Sequence, residues 1–338
     1  MDPFTQSLIG ATTASAFSRE EKLKKNSLFG ALGGIFPDID VFIKSSNDQL
    51  LFVEYHRHFT HSIFFIPFGG FILSIVLFLI FKSKTSFIRL YTYTTIGIAT
   101  HGLLDACTTY GTSLFWPFFD MRVAWNIISI VDPIFTLILL SFLVYCLTKS
   151  SVIFCRLGLL LSVIYLSFGF QQNQQVKSFI NEIADKRGHK VERLIVNPTI
   201  GNLILWRSIY QNEGKYYVDA VYFPLLSKPK LKQGVVLNVI NKETIFPELG
   251  PNSVQRNDIR RFSYFTNDFI YLHPNYEFII SDLRYGSLPN DHLSLWGIEI
   301  NIENPENHVI FKNLRNFDEK IYSDFWKMIK GDFTETIK

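Results

Sequence analysis

The stretch "YHRHFTHS", residues 55 to 62, gathers His56, His58 and His61 into six positions at the edge of a long apolar run. Two other clusters share that setting. In "GGIFPDID", Pro37 ends an apolar segment and delivers Asp38 and Asp40 at its exit. In "THGLLDACTTYGTSLFWPF", His101 and Asp105 stand four apart inside an otherwise apolar segment. On a helix that spacing stacks both side chains on one face, about 5–6 Å apart at Cβ, so an imidazole and a carboxylate can converge on one ion. Imidazole nitrogen with carboxylate oxygen is a donor set for zinc, iron or manganese. An ionisable group at membrane depth costs about 2.5–3.5 kcal/mol on insertion scales. A shared divalent cation offsets that cost for His101 and Asp105, and for Asp38, Asp40, His56 and His61 if they reach the same place.

Each cluster also has a plainer reading. His101 and Asp105 can form a buried hydrogen bond that pins two helices, and "PDID" can be a helix stop followed by a turn. His56 and His61 can be interfacial polar residues, with His58 pointing to solvent. Arg57 is either a headgroup or phosphate contact or an arginine that snorkels to the interface. Asp132, in "VDPIF", is either a second-layer partner of the cluster or an N-cap ahead of Pro133 at the first helical position.

The elements that must carry these residues divide the chain. The first 170 residues hold 22 Asp, Glu, Lys and Arg and the remaining 168 hold 41, although the mean hydropathy of the whole is positive. Four stretches, from Ser62 to Phe81, Leu90 to Cys107, Ile127 to Leu147 and Val152 to Phe170, have the length and apolarity of bilayer spans, which need ~20 residues. Two shorter segments rich in small residues, Phe4 to Phe17 and Ser27 to Phe36, suit close packing inside a bundle. The expected fold is therefore an α-helical membrane bundle of about six embedded helices over residues 1–170. A helical linker (171–190) and a mostly β soluble domain (191–338) follow, the latter from β-branched and aromatic runs such as "VERLIVNP", "KYYVDAVYF", "SYFTNDFIYL" and "LWGIEINI".

Basic residues alternate between the loops. Arg19, Lys22, Lys24 and Lys25, then Lys82, Lys84 and Arg89, then Lys149 and Arg156 mark the cytoplasmic side by the positive-inside rule. Residues 38–61, 108–126 and everything after Phe170 then share the extracytoplasmic side. A net charge of +3 with no basic patch interleaved with aromatics argues against a nucleic-acid partner. Cys107, Cys146 and Cys155 are odd in number, lie in apolar surroundings and form no CxxC, as expected of buried thiols. The N-terminus lacks the basic start of a signal peptide and is expected to be retained.

Taken together, "FTQSLIGA", "GALGGIFPDID", "HRHFTHS" and "HGLLDACTTYGTSLFWPF", in this order with apolar spans between them, resemble the YdjM-like membrane-bound metal-dependent hydrolases of bacteria. The resemblance covers most of residues 1–140, with "VDPIF" and, more weakly, "SDLRYG" similar to what longer members carry. It implies an all-helical membrane core distantly similar to zinc-dependent phospholipase C and related nucleases. It also implies a divalent metal, zinc by preference, held by Asp38, Asp40, His56, His61, His101 and Asp105. Two positions depart from the family pattern. Gln6 stands where many members have His, offering an amide oxygen or nothing, and His58 replaces the usual Gly, adding a ligand or nothing.

The implied activity is hydrolysis of a phosphodiester or ester, such as a lipid, at the membrane surface by a metal-activated water. Asp38 or Asp40 would accept a proton and Arg57 would meet substrate charge. A different class of function fits the same residues: a non-catalytic membrane protein with a structural or transport metal site and a partner-binding β domain. A structural site would be coordinatively closed and a catalytic one open. A membrane acyltransferase is set aside, because its His and Asp are separated by four residues and His101 and Asp105 by three.

Overall fold

A computed structural model describes residues 1–81, 85–315 and 318–333, so Lys82 and Lys84 of the second basic loop lie outside it. The chain forms two compact units. One comprises Met1–Ile43, Tyr55–Gln171 and Ile200–Asn202, and the other Lys44–Glu54, Gln172–Thr199 and Leu203–Lys338.

In the first unit, helices α1 (Pro3–Ala16) and α2 (Leu23–Ile35) lead into a 3-10 segment, Phe36–Phe42. Short α3 (Leu50–Tyr55) and a 3-10 turn (Phe59–His61) precede α4 (Phe65–Ile80) and α5 (Phe87–Ala106), with α6 (Pro133–Lys149) and α7 (Val152–Lys186) last. α1 and α6 begin by the same device. Asp2 and Asp132 are N-caps that accept from the Thr5 and Phe135 N–H groups, each followed by a proline whose missing N–H costs nothing at that position. α1, α2 and α5 meet backbone to backbone. A Cβ added at Gly97 would strike the Gly30 carbonyl, and one at Gly34 the Gln6 carbonyl. This small-residue seam sets the height of His101 on α5 against the end of α2. Leu8, Ala11, Leu104, Phe135 and Leu139 fill the adjoining core.

The two ends of this unit differ in charge. Arg156 Nε donates to the Ala16 carbonyl and Arg89 Nε to Asn26, which places the basic residues of the α1–α2 and α6–α7 connections at one end. At the other end the Asp2 N–H donates to Ile130 and the Trp125 N–H to Ala106, joining the start of α1, the end of α5 and the approach to α6.

The expectation of about six membrane-embedded helices is corrected. Among the described residues one helix, α7, is long and apolar enough to cross a bilayer, or up to two if the α3-to-α4 stretch, bent by 90°, counts as one span. The reasons are local. Ser62 to Phe81 becomes a 16-residue helix, because the chain is in a 3-10 turn until His61. Ile127 to Leu147 becomes a 17-residue helix, because Asp132 and Pro133 delay its start. α5 has 20 residues but spends many on Thr, His, Asp and Arg.

The second unit contains two antiparallel sheets. β1 (Arg193–Pro198), β2 (Leu205–Asn212), β3 (Lys215–Tyr222) and β4 (Lys230–Lys232) run in order, with β5 (Val236–Asn238) also on β3. After α8 (Val254–Phe265), β6 (Ile270–Leu272), β7 (Ile279–Asp282), β8 (Trp296–Glu299) and β9 (Ile310–Asn313) form the second sheet, and α9 (Glu319–Ile329) ends the described chain. Ile195, Ile209 and Val218 pack with Phe269, Tyr271 and Leu283, so the sheets share a core. The run "SYFTNDFIYL" is split. Its first residues close α8, which the Ser253 cap starts, and only Ile270–Leu272 is strand.

Candidate metal centre

Four ligand atoms converge where the first 3-10 segment, the Phe59–His61 turn and the end of α5 meet. His61 Nε2 and His101 Nε2 lie 2.8 Å apart. Asp38 Oδ1 is 3.5 Å from the first and 3.4 Å from the second, and Asp105 Oδ2 is 3.2 and 3.6 Å from them. Zinc bonds of about 2.0–2.2 Å place ligand atoms of a tetrahedron roughly 3.3–3.6 Å apart, so the carboxylate-to-imidazole distances match that spacing and the imidazole pair is shorter.

The far side of each imidazole sets its protonation. His101 Nδ1 is 2.5 Å from the Gly34 carbonyl, which can only accept, so Nδ1 carries the proton. Thr60 Oγ1 donates to Asp40 Oδ2 at 2.8 Å, so His61 Nδ1, 3.0 Å from that hydroxyl and 3.2 Å from Asp40 Oδ2, is a donor as well. Both Nε2 lone pairs therefore face each other, with two carboxylate oxygens beside them. Such an arrangement is repulsive unless a cation, a proton or a metal ion, lies between. Asp105 Oδ2 is buried and, although ion-paired with Arg57, accepts no hydrogen bond of good geometry among the described residues. The donor chemistry and this incompletely satisfied oxygen both fit a divalent metal.

A second group, Asp38, Asp40 and His56, adjoins the first and shares Asp38 with it. Asp40 is mainly an organiser. Its Oδ2 accepts from the Arg57 N–H at 2.9 Å and from Thr60, while Oδ1 faces His56 Nδ1 at 2.9 Å. Burial opposes ionisation of both Asp38 and Asp40. Hydrogen bonds from His56 and His61 outweigh it at Asp40 and hold that carboxyl well below the usual carboxylate range. Asp38 is held below that range when the His101 and His61 nitrogens facing it carry a proton, which then bonds its carboxylate. Of the six, Asp38 and His56 alone have accessible side chains, 19% and 17%, so the cluster opens on their side.

Arg57 is not at the interface as a snorkelling residue would be. It is 4% exposed, with Nε 3.1 Å from Asp105 Oδ2, Nη1 donating to Thr108 Oγ1 at 2.9 Å and its guanidinium over the Tyr110 ring at 4.8 Å. Its backbone has φ +65°, a conformation costly for any residue with a Cβ. That turn aims its N–H at Asp40 while its side chain reaches Asp105. Gly102 allows the approach of the neighbouring turn, since a Cβ there would collide with the His61 carbonyl.

The remaining candidates are placed elsewhere. Asp132 is the α6 cap and accepts from the Tyr165 hydroxyl at 2.9 and 3.1 Å, so its described bonds are those of a helix start. His58, expected to face solvent, is half-buried among the rings of Tyr55, Phe59 and Trp116. Gln6 turns its amide nitrogen, not its oxygen, to Asp105 Oδ1 at 2.9 Å, and the Met1 amino group pairs with the same oxygen. Thr60, Thr108 and Tyr110 were missed from sequence. They lie inside the quoted motifs, but a hydroxyl in a motif carries no signal until its partners are known.

Comparison with known proteins follows the same residues. The family model described as YdjM inner membrane protein matches residues 1–176. The chain is similar to the uncharacterized protein YfhP of Bacillus subtilis (strain 168), 25% identical over 265 residues, which cover 75% of this chain and 76% of that protein. No solved structure matches.

Proposed function

The chain belongs to the YdjM inner membrane protein family, which associates it with a bacterial lipid bilayer, and on that footing we propose that it is a metal-dependent hydrolase of phosphodiesters or esters at the membrane surface. The observation that carries the proposal is the pair of facing imidazole lone pairs, 2.8 Å apart, with Asp38 and Asp105 oxygens beside them. His61, His101, Asp38 and Asp105 would hold the ion. When bound, a divalent cation such as zinc supplies a nucleophilic water at neutral pH and polarises the oxygen of the scissile bond.

The protein groups divide the remaining work. Asp40 and Thr60 lock the His61 ring, and the Gly34 carbonyl locks that of His101, each directing Nε2 inward. His56, at the opening with Asp40 behind its Nδ1, is the group we assign to proton transfer there. Arg57 holds Asp105 in place and supplies a fixed positive charge beside the ligands. Asp38, the accessible carboxylate, is kept ionised and serves better as ligand than as base.

The basic end of the helical unit is assigned to the cytoplasm, which puts the ligand cluster, at the other end, on the extracytoplasmic face. The test is elemental analysis of the full chain purified in detergent or lipid, with His101→Ala alongside. Metal bound to the wild type and lost from a folded His101→Ala supports the assignment. Equal metal content in both removes His101 from the ligand set and the mechanism with it.

A further inference from the structure

We infer that the β3–β4 hairpin tip, residues 223–229, is an interfacial anchor that dips into the leaflet from which α7 emerges, with an anionic phospholipid surface as its partner. It does not depend on the metal centre.

The tip reads "FPLLSKP", and its two leucines are out of place for water: Leu225 is 72% exposed and Leu226 fully so. None of the described residues covers these two adjacent leucines, yet Pro224 and Pro229 stiffen the loop that presents them. Such a tip needs an apolar medium close by.

The helix and strand registers say where that medium is. The apolar part of α7 runs from Val152 to Phe170, about 28 Å at ~1.5 Å per residue, close to the thickness of a hydrocarbon core. Gln171 begins the polar continuation "QQNQQ". Gln172 Nε2 donates to the Phe223 carbonyl at 3.2 Å, so the root of the tip is held at the second residue after the apolar stretch. At the other end of β3, Asp219 pairs with Arg187 at 2.7 Å, beyond the last residue of α7. From Asp219 to Phe223 the strand therefore runs back along residues 172–186 of α7 toward the end that follows the apolar stretch in sequence, and Leu225 and Leu226 come next at the tip.

Charge favours an anionic leaflet. Lys228 is exposed beside the leucines, and Lys230 and Lys232 follow on β4. The tip cannot fold away from this position easily, because Tyr222 pairs with Lys230 at its root and Lys230 Nζ donates to the Gly331 carbonyl at 2.6 Å. Apolar tip and cationic shoulder are the chemistry of an interfacial lipid contact.

The experiment uses the full chain in lipid nanodiscs of phosphatidylcholine with phosphatidylglycerol. Leu226→Cys carries an environment-sensitive fluorophore, and Lys215→Cys, at the opposite end of β3, carries the same label as reference. The three native cysteines are buried and do not compete. The label at 226 is expected to show blue-shifted emission and to lose most of it when lipids brominated high on the acyl chain are included, while the label at 215 keeps the emission of a water-exposed dye. Quenching at 226 is expected to weaken in discs without phosphatidylglycerol. An unquenched, water-like label at 226, or equal quenching at 226 and 215, overturns the inference. Equal quenching at 226 with and without the anionic lipid overturns its electrostatic part. Leu225→Cys gives a second reading of the tip should Leu226→Cys fold poorly.

Discussion

His61 and His101 face each other through their Nε2 atoms at 2.8 Å, while both Nδ1 atoms are committed to acceptors on the opposite side of each ring. Hydrogen bonding has thus set both imidazoles in the same sense, with the lone pairs inward. Two neutral rings so oriented repel, and the contact persists only with a positive charge between them.

That relationship predicts linked proton release. Without metal the gap holds a proton, and with metal it does not, so metal uptake expels that proton. Titration of the metal-free full chain with zinc in two buffers of different ionisation enthalpy is expected to show about one proton released per ion bound. Apparent affinity is expected to rise with pH until the apo site loses that proton. A heat signal independent of buffer contradicts the inward tautomers.

Thr60→Val removes one hydroxyl and keeps the side chain's shape. The Asp40 to His61 relay loses its middle partner, and outer-layer changes of this kind cost about 10- to 100-fold in metal affinity. Competition with a chromophoric chelator measures it, and an affinity unchanged from wild type would show that Thr60 is packing alone.

Gly102→Ala places a methyl group against the His61 carbonyl, which is backbone and cannot swing aside. The cost is expected in two places: about 1–3 kcal/mol of stability from overpacking, and weaker metal binding because the Phe59–His61 turn must shift. Gly69→Ala meets only the movable Phe65 ring in α4 and is expected to leave metal content intact, which makes it the control.

His56→Gln separates the catalytic from the structural reading of the site. Under the proposal, metal content stays at the wild-type level and hydrolysis of a chromogenic phosphodiester falls by about 10²- to 10⁴-fold, the usual contribution of a positioned acid or base. Wild-type protein that binds metal but hydrolyses neither phosphodiester nor ester probes favours a structural or transport site.

In the C-terminal unit, Arg261 binds three carboxylates: Glu54 at 2.6 Å, Asp258 at 2.8 Å and Asp48 at 3.0 Å. With the Phe311 N–H to Gln49 bond at 2.8 Å, it fastens residues 44–54 to that unit. Arg261→Ala is expected to cost about 1.5–3 kcal/mol, since the Asp258 side chain is fully buried while that of Glu54 is partly exposed. Faster proteolysis between residues 44 and 54 would report local release, and an unchanged cleavage rate would show that the other contacts suffice.

The residue types of the centre and part of its geometry were legible in the sequence. His101 and Asp105 share a face because 3.6 residues per turn leaves no alternative, and Pro37 had to break α2 just before Asp38. Runs of β-branched and aromatic residues bounded by turn formers likewise marked β1, β2 and β3, because such composition is a property of neighbouring residues. Tertiary structure decided what depended on distant partners. Apolar runs looked like four full spans, but where helices start depended on capping by Asp132 and on the turn at Phe59–His61, and most came out too short. Arg57, interfacial by its position in the sequence, is buried against Asp105, because only the folded bundle brings residue 57 to residue 105. The inward lone pairs of His61 and His101 rest on Thr60, Asp40 and the Gly34 carbonyl, contacts that no local pattern encodes.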